Sequence, residues 1–293
     1  MDSGKHGTAL MITAAVAFGI SPMIAAYATA SGLSAIMLAF LRHILAVPVF
    51  LIIAVIGHHN LRYGKTQLRK ILILAATGGA LNSALLFPSY GMIGIGLATA
   101  LNFTYPAFVL IAGMLFYKER ISSRIWLCLA LCTAGIIMMC DFSGAWSFKG
   151  FLLALGSGAA YGTYTLYIDK SRIMNEVDFV SYSFYYFLFS SIMLLPVLLI
   201  MRDAKLPTIG IWAVHTAMHA AITLYGTLAS QKGIPLAGSQ KASLLCSIEP
   251  ATSVILGIVF LNEALDPVHI TGVILVLIST VLIARSNKKG TIR

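Results

Sequence analysis

The chain has 293 residues, of which 59% are hydrophobic and only 10% charged. A water-soluble domain carries roughly 25% charged residues to cover its surface, so a soluble enzyme or binding module is excluded and lipid is the solvent this composition fits. The net charge of +10 would suit nucleic acid, but its placement along the chain makes it a topology signal, and no nucleic-acid partner is expected.

A helix needs about 20 apolar residues to cross about 30 Å of hydrocarbon, and such stretches recur from end to end. Spans are expected near 8–30, 34–57, 68–91, 95–117, 123–140, 149–169, 179–201, 208–231, 236–261 and 268–285. The first begins at once and no small-residue cleavage site follows it, so it reads as a retained helix rather than a signal peptide. Pro22, Pro48, Pro88, Pro106, Pro196 and Pro250 fall inside spans. Membrane helices tolerate them because neighbouring helices satisfy the freed backbone groups. The loops leave no room for an extramembrane domain, so function is expected within the membrane. Cys128, Cys132, Cys140 and Cys246 all lie in spans and read as buried small hydrophobes. No cofactor or metal is expected, since two thiols on one face without His partners make a poor metal site.

Of the 20 Lys and Arg, fifteen fall on the side that holds both chain ends and three (Lys149, Arg202, Lys205) on the other. Arg42 and Lys241 lie within spans. This bias places both termini in the cytoplasm. Compact loops point, by analogy, to a multi-pass protein of a bacterial cytoplasmic (inner) membrane.

Sliding the chain by 144 lays residues 98–124 on 242–268 without a gap, pairing Ala98/Ala242, Leu101/Leu245, Pro106/Pro250, Gly113/Gly257 and Glu119/Glu263. A shift of 143 lays the first span on the sixth, with Gly7/Gly150, Leu10/Leu153, Ala17/Ala160 and Gly19/Gly162. Two regions matching at nearly one offset, about half the length, indicate a duplication with halves 1–145 and 146–293. Five spans per half force the second copy to enter the membrane from the opposite side. Turn charges agree: Lys118-Glu119-Arg120 is basic, whereas its twin Asn262-Glu263-Ala264, with Asp266, is acidic. The expected fold class is therefore an all-α integral membrane protein, ten transmembrane helices arranged as two inverted five-helix repeats. Such repeats recur in secondary transporters, where two halves exchanging conformations give inward-open and outward-open states.

The fourth and ninth spans, TYPAFVLIAGMLFYKERIS and SIEPATSVILGIVFLNEALD, each carry a central Pro and a Glu-containing turn. Together with FLRHILA (Phe40 to Ala46) and GAAYGTY in the sixth span, they resemble the EamA-type family of the drug/metabolite transporter superfamily. The resemblance covers almost the whole chain. It implies ten helices, cytoplasmic termini and a central cavity lined chiefly by helices one, three, four, six, eight and nine. It also implies transport of amino acids, amines, nucleobases or other metabolites, often outward and often coupled to protons or exchange.

Glu249 is the sharpest site candidate. A mid-span carboxylate is costly and is retained only when paired, protonated or facing a wet cavity. Pro250 is expected to leave the Cys246 carbonyl without its helical partner. Glu249 could hold a substrate ammonium, carry a coupling proton, or form a structural pair. Arg42 could pair with Glu249, bind a substrate carboxylate, or snorkel outward; His43 could relay protons or be packed. Tyr161, Tyr164 and Tyr167 recur at every third position. Tyr105, the repeat twin of Glu249, and Tyr225 add hydroxylated rings that could hold a ring-bearing or alkylammonium substrate. Asn82 and Asn102 fit a cavity wall or an interhelical bond. The SYSFYYFLF run of the seventh span reads as lipid-facing or packed rather than ligand-binding, and Lys241 as snorkelling to the cytoplasmic edge. His215 and His219 could share a metal only with a third ligand that is not evident.

The reading that follows is a secondary transporter exporting a small zwitterionic or cationic metabolite, such as an amino acid, by alternating access. The carrier would be a monomer or weak homodimer, with a small-molecule substrate and the bilayer as its partners. An amine, quaternary ammonium or nucleobase carrier is the alternative. A channel or sensor lacks a ring of like polar groups, and an intramembrane enzyme lacks an HExxH motif; no P-loop occurs either.

Overall fold

A computed structural model describes residues 3–93, 95–139, 147–201, 210–261 and 267–285. Among these residues the chain is helical with no strand, and it falls into ten helical segments. They are α1 (Ser3–Ala30), α2a and α2b (Ala35–Ile44, Ala46–Ile56), and α3a and α3b (Lys65–Leu74, Asn82–Ile93), joined by a π-helical turn, Ala75–Leu81. Then follow α4a and α4b (Ile95–Asn102, Tyr105–Tyr117) and α5 (Ser123–Met138). The second half holds α6 (Phe148–Lys170), α7 (Phe179–Ile200), α8 (Ile211–Ala237), α9a and α9b (Ser239–Leu245, Ile248–Leu261) and α10 (Pro267–Ala284).

Four of the expected spans are not continuous α-helices, and the local sequence says why. Pro48 has no N–H for the Ile44 carbonyl, and α2a ends there. Pro106 likewise cannot serve Asn102, the last residue of α4a. The π turn in the third span adds a residue to one turn, a feature common at functional sites, and re-aims Asn82 and Ser83. The ninth span breaks at Cys246 and Ser247, ahead of Pro250. One expectation is corrected at that break: the Cys246 carbonyl is not left free, because the Glu249 N–H donates to it at 2.9 Å. A tightened turn has supplied the partner that Pro250 could not.

Among the described residues six stretches are long and apolar enough to cross a membrane by themselves: Gly4–Ala25, Ala35–Ile56, Lys65–Ile93, Leu97–Tyr117, Phe179–Ile200 and Pro267–Ala284. A shorter apolar helix, Ser123–Met138, joins them. The α6 and α8 helices have 23 and 27 residues, about 35 and 40 Å of rise, so what sets them apart is polarity rather than length. They and the broken α9 carry much of the interior polar surface. The α8 helix also runs six residues past the expected end at 231. Lys232, expected in a loop, lies inside it with its ammonium over the Phe179 ring at 4.1 Å.

The packing follows the duplication. The α1 helix packs on α8 and α9b, and its twin α6 packs on α3 and α4, the twins of α8 and α9. The α5 helix packs on its own twin, α10. A Cβ on Gly135 would lie 2.6 Å from the Gly272 carbonyl oxygen, so only glycines let α5 and α10 approach this closely. Gly272→Leu should destabilise the fold by about 1–3 kcal/mol, seen as a lower melting temperature of detergent-solubilised protein. Beside this contact Cys132 donates to the Ser279 hydroxyl at 3.1 Å, and Ser279 donates to the Cys128 carbonyl at 2.9 Å. Cys128, Cys132 and Cys246 are buried and free, while Cys140 lies outside the described residues.

Candidate functional site

A cavity of about 330 Å³ lies between the two halves. It is lined by the later half of α1 (Phe18, Ser21), by α2a and not α2b, by the π turn and α3b, and by both halves of α4. From the second repeat come residues of α6, α7 and α8, together with Glu249 of α9b. The lining from α1, α2a, α3b and α4a lies in the half of the bundle away from the chain termini, while Tyr164, Tyr186 and Ser230 carry the cavity past mid-span. The structure adds α2 and α7 to the helices implied by the family resemblance.

Eight of the nine sequence-derived candidates meet at this cavity, seven of them being Arg42, His43, Asn82, Asn102, Tyr105, Tyr161 and Tyr164. Glu249 is the eighth. It occupies the first turn of α9b, where the unpaired N–H groups at a helix start favour a negative charge. Among the described residues no hydrogen bond or ion pair reaches its carboxylate. Arg42 faces the same cavity but makes no ion pair with Glu249; its Nη2 donates to the Ser83 hydroxyl at 3.2 Å. The site thus presents one carboxyl group and one guanidinium that share the cavity without a direct ion pair between them.

The other candidates do structural work as well. Asn102 Nδ2 donates to Ser157 Oγ at 2.8 Å and Asn82 Nδ2 to the Ser157 carbonyl at 3.1 Å. Both readings of these amides hold together, since they line the cavity and tie α3 and α4 to α6. Tyr105 OH donates to the Ser243 carbonyl at 3.0 Å. His43 is buried, its Nδ1 donating to the Ala39 carbonyl at 2.7 Å, with its ring against Phe187. The tyrosines form a continuous wall. Tyr105 and Tyr161 meet edge to face at 4.8 Å, Tyr161 stacks on Tyr164 at 5.6 Å, and Tyr164 reaches Tyr186 at 6.0 Å.

Two expectations are corrected. Tyr225 is 51% exposed and points away from the cavity, because α8 turns its other face inward, the one bearing His219, Thr223, Thr227 and Ser230. Tyr225→Phe should leave transport unchanged within about twofold in an uptake assay, an exposed substitution being worth about 0.5 kcal/mol or less. The seventh-span run is packed at Tyr182, Tyr186 and Phe187, one of its two expected readings, but Tyr186 and Phe187 also line the cavity, which was not expected. Tyr167 packs in the core rather than on the cavity. Lys241 donates to the Ala284 carbonyl at 3.0 Å, at the end of α10.

His219, weighed in the sequence only as half of a metal pair with His215, is a cavity residue. Its Nε2 shares a 2.8 Å hydrogen bond with Ser21 Oγ across the α1–α8 contact. His215 instead sits against the Tyr27 ring at 5.6 Å, so the two histidines do not converge, and no metal cluster occurs among the described residues.

Residues 5–140 and 148–285 each match the EamA-like transporter family. The chain belongs to this family and is a membrane transporter, not an enzyme. An uncharacterized transporter of Synechocystis sp. is 28% identical over 68% of this chain, and the match spans 61% of that protein. The chain therefore spans about three fifths of that relative's length. The threonine/homoserine exporter RhtA of Salmonella typhimurium is 25% identical over 85% of this chain and 80% of its own. A solved crystal structure superposes with a TM-score of 0.77 over 94% of this chain and 97% of its own, at 14% identity, which is a likeness of fold alone.

Proposed function

We infer that the protein is a secondary carrier that moves a small zwitterionic metabolite, an amino acid first of all, out of the cytoplasm by alternating access. The observation that carries this reading is that Glu249 and Arg42, of opposite charge type, line one cavity without a direct ion pair between them. A free α-amino acid supplies a partner to each: its ammonium to the Glu249 carboxylate, its carboxylate to the Arg42 guanidinium as a charge-assisted pair. Asn82, Asn102, Ser83 and His219 offer hydrogen bonds for the rest of the molecule. The name of RhtA as a threonine/homoserine exporter supports the same class. The loop basicity supports a cytoplasmic location for both termini. The 1–145 and 146–293 halves would then rock against each other about the cavity, and the carrier would act as a monomer or weak homodimer.

A second reading, an alkylammonium carrier, draws on the Tyr105, Tyr161 and Tyr164 wall, whose ring faces suit a cation. Counterflow in proteoliposomes across neutral amino acids, amines and nucleobases tests both. Saturable exchange of an amino acid, with no exchange of its decarboxylated analogue, is the expected result. Exchange of amines alone would replace the first reading by the second. If nothing in the panel exchanges, the substrate assignment fails.

A further inference from the structure

Beyond the cavity floor, on the side of the chain termini, one charged cluster ties the two repeats together. Glu119 stands just past the end of α4b, and its Oε1 pairs with Lys170, the last residue of α6. Its Oε2 accepts from Gln240 Nε2 at 2.6 Å. Lys170 also reaches Asp169 Oδ2 at 3.2 Å. That same oxygen accepts from the Ser239 backbone N–H at 3.0 Å and the Ser239 hydroxyl at 2.9 Å. The two carboxylates thus hold the first two residues of α9a.

The position of α9a gives this cluster its meaning, because α9a leads directly into the break before Glu249. It hangs from Gly238, whose φ of 86° lies in the region open to glycine. Tyr105, the twin of Glu249, grips the same half-helix through Ser243. The side chains of Glu119, Asp169 and Lys170 are 12%, 16% and 24% exposed, so water screens them less than it does an ordinary surface pair.

The inverted repeat supplies a built-in comparison. At the offsets of 143 and 144, the twin of Glu119 is Glu263, but Asp169 and Lys170 correspond to Ala26 and Tyr27, and Ser239 and Gln240 to Ile95 and Gly96. In sequence, the twin positions keep one carboxylate and carry neither the cation nor the polar start of the half-helix. We propose that Glu119, Asp169 and Lys170 are positioning residues that form a latch: they hold α9a to close the cytoplasmic end of the path. Because its twin positions lack the cation and the Ser-Gln start, the latch biases the carrier toward the outward-open state. The proposal rests on the alternating-access reading above. Substrate seated at Glu249 acts on the break between α9a and α9b, and α9a transmits that movement to the latch.

The test uses the full chain in membrane vesicles of either orientation, with Thr227→Cys in the cavity wall as reporter and the parent chain's labelling subtracted. A membrane-impermeant cationic methanethiosulfonate is applied from one face at a time. Losing one charge-assisted hydrogen bond shifts a two-state balance by about tenfold. Glu119→Gln should therefore raise cytoplasmic-face labelling about tenfold and lower external labelling. Lys170→Met and Asp169→Asn should act in the same direction, so the test stands if one variant does not fold, and Lys170→Arg should keep the parent pattern. A variant that merely loosens the fold would raise labelling from both faces, and that outcome overturns the latch, as does cytoplasmic labelling equal to the parent's in all three. If no chain, parent included, labels from the cytoplasmic face with any substrate present, the alternating-access reading itself falls.

Discussion

Glu249→Gln is expected to reduce counterflow of the zwitterionic substrate by roughly 10- to 150-fold, the equivalent of about 1.5–3 kcal/mol for a hydrogen bond to a charged group. The substitution keeps the shape of the side chain and removes only its charge. Folding should not suffer. Among the described residues nothing bonds to the Glu249 carboxylate, so its removal orphans no partner, and a neutral amide costs less to hold in the membrane than a carboxylate. The melting temperature should stay level or rise while transport falls. A structural carboxylate would give the opposite pair of results: lost stability, with transport declining only in step with the amount of folded protein. Measuring both quantities on one preparation separates the two roles. Glu249→Asp retains the charge but withdraws it by one methylene, and its transport should fall between the parent and the amide.

The fold was legible in the sequence because its signals are additive over long stretches. Twenty apolar residues are hard to mistake, and a shared offset pairing Pro106 with Pro250 and Glu119 with Glu263 declares a duplication without a structure. The breaks were only partly legible. Pro48 and Pro106 mark two of them, but nothing local distinguishes a π turn at Ala75–Leu81 from an α-helix. Which face of a helix meets the cavity was harder still. Tyr225 and His219 lie on the same helix, and composition cannot choose between an aromatic ring toward lipid and an imidazole inward. A pattern could have decided it: Thr216, His219, Thr223, Thr227 and Ser230 fall at helical spacing in one polar stripe, and Tyr225 is off that stripe. The tyrosines of the seventh span misled for a different reason. An aromatic-rich run suits an interfacial belt as well as a cavity wall, and only tertiary packing brought Tyr186 against Tyr164. The latch was invisible because Glu119, Asp169 and Gln240 are far apart in the chain, and each taken alone reads as a solvated loop or helix-end residue.

Arg42→Gln is expected to separate the two substrate readings by changing selectivity more than overall activity. Transport of the amino acid should fall about 10- to 100-fold, the effect of removing one side of a desolvated charge pair worth about 2 kcal/mol or somewhat more. Transport of the decarboxylated amine should hold steady or improve, because the amine has no carboxylate to lose and meets less repulsion from a neutral neighbour. Arg42→Lys keeps the charge and gives up the planar fork that matches a carboxylate, so its amino acid transport should lie between. The measurement is the ratio of amino acid to amine counterflow in each variant. Arg42 also bonds Ser83, and if that bond were its whole purpose both substrates would decline together and the ratio would not move. A fall in the ratio assigns the guanidinium to the substrate carboxylate, and with Glu249 on the ammonium the cavity then requires both charges of a zwitterion at once. That requirement is what would let a cavity of about 330 Å³ reject the many amines and acids small enough to enter it.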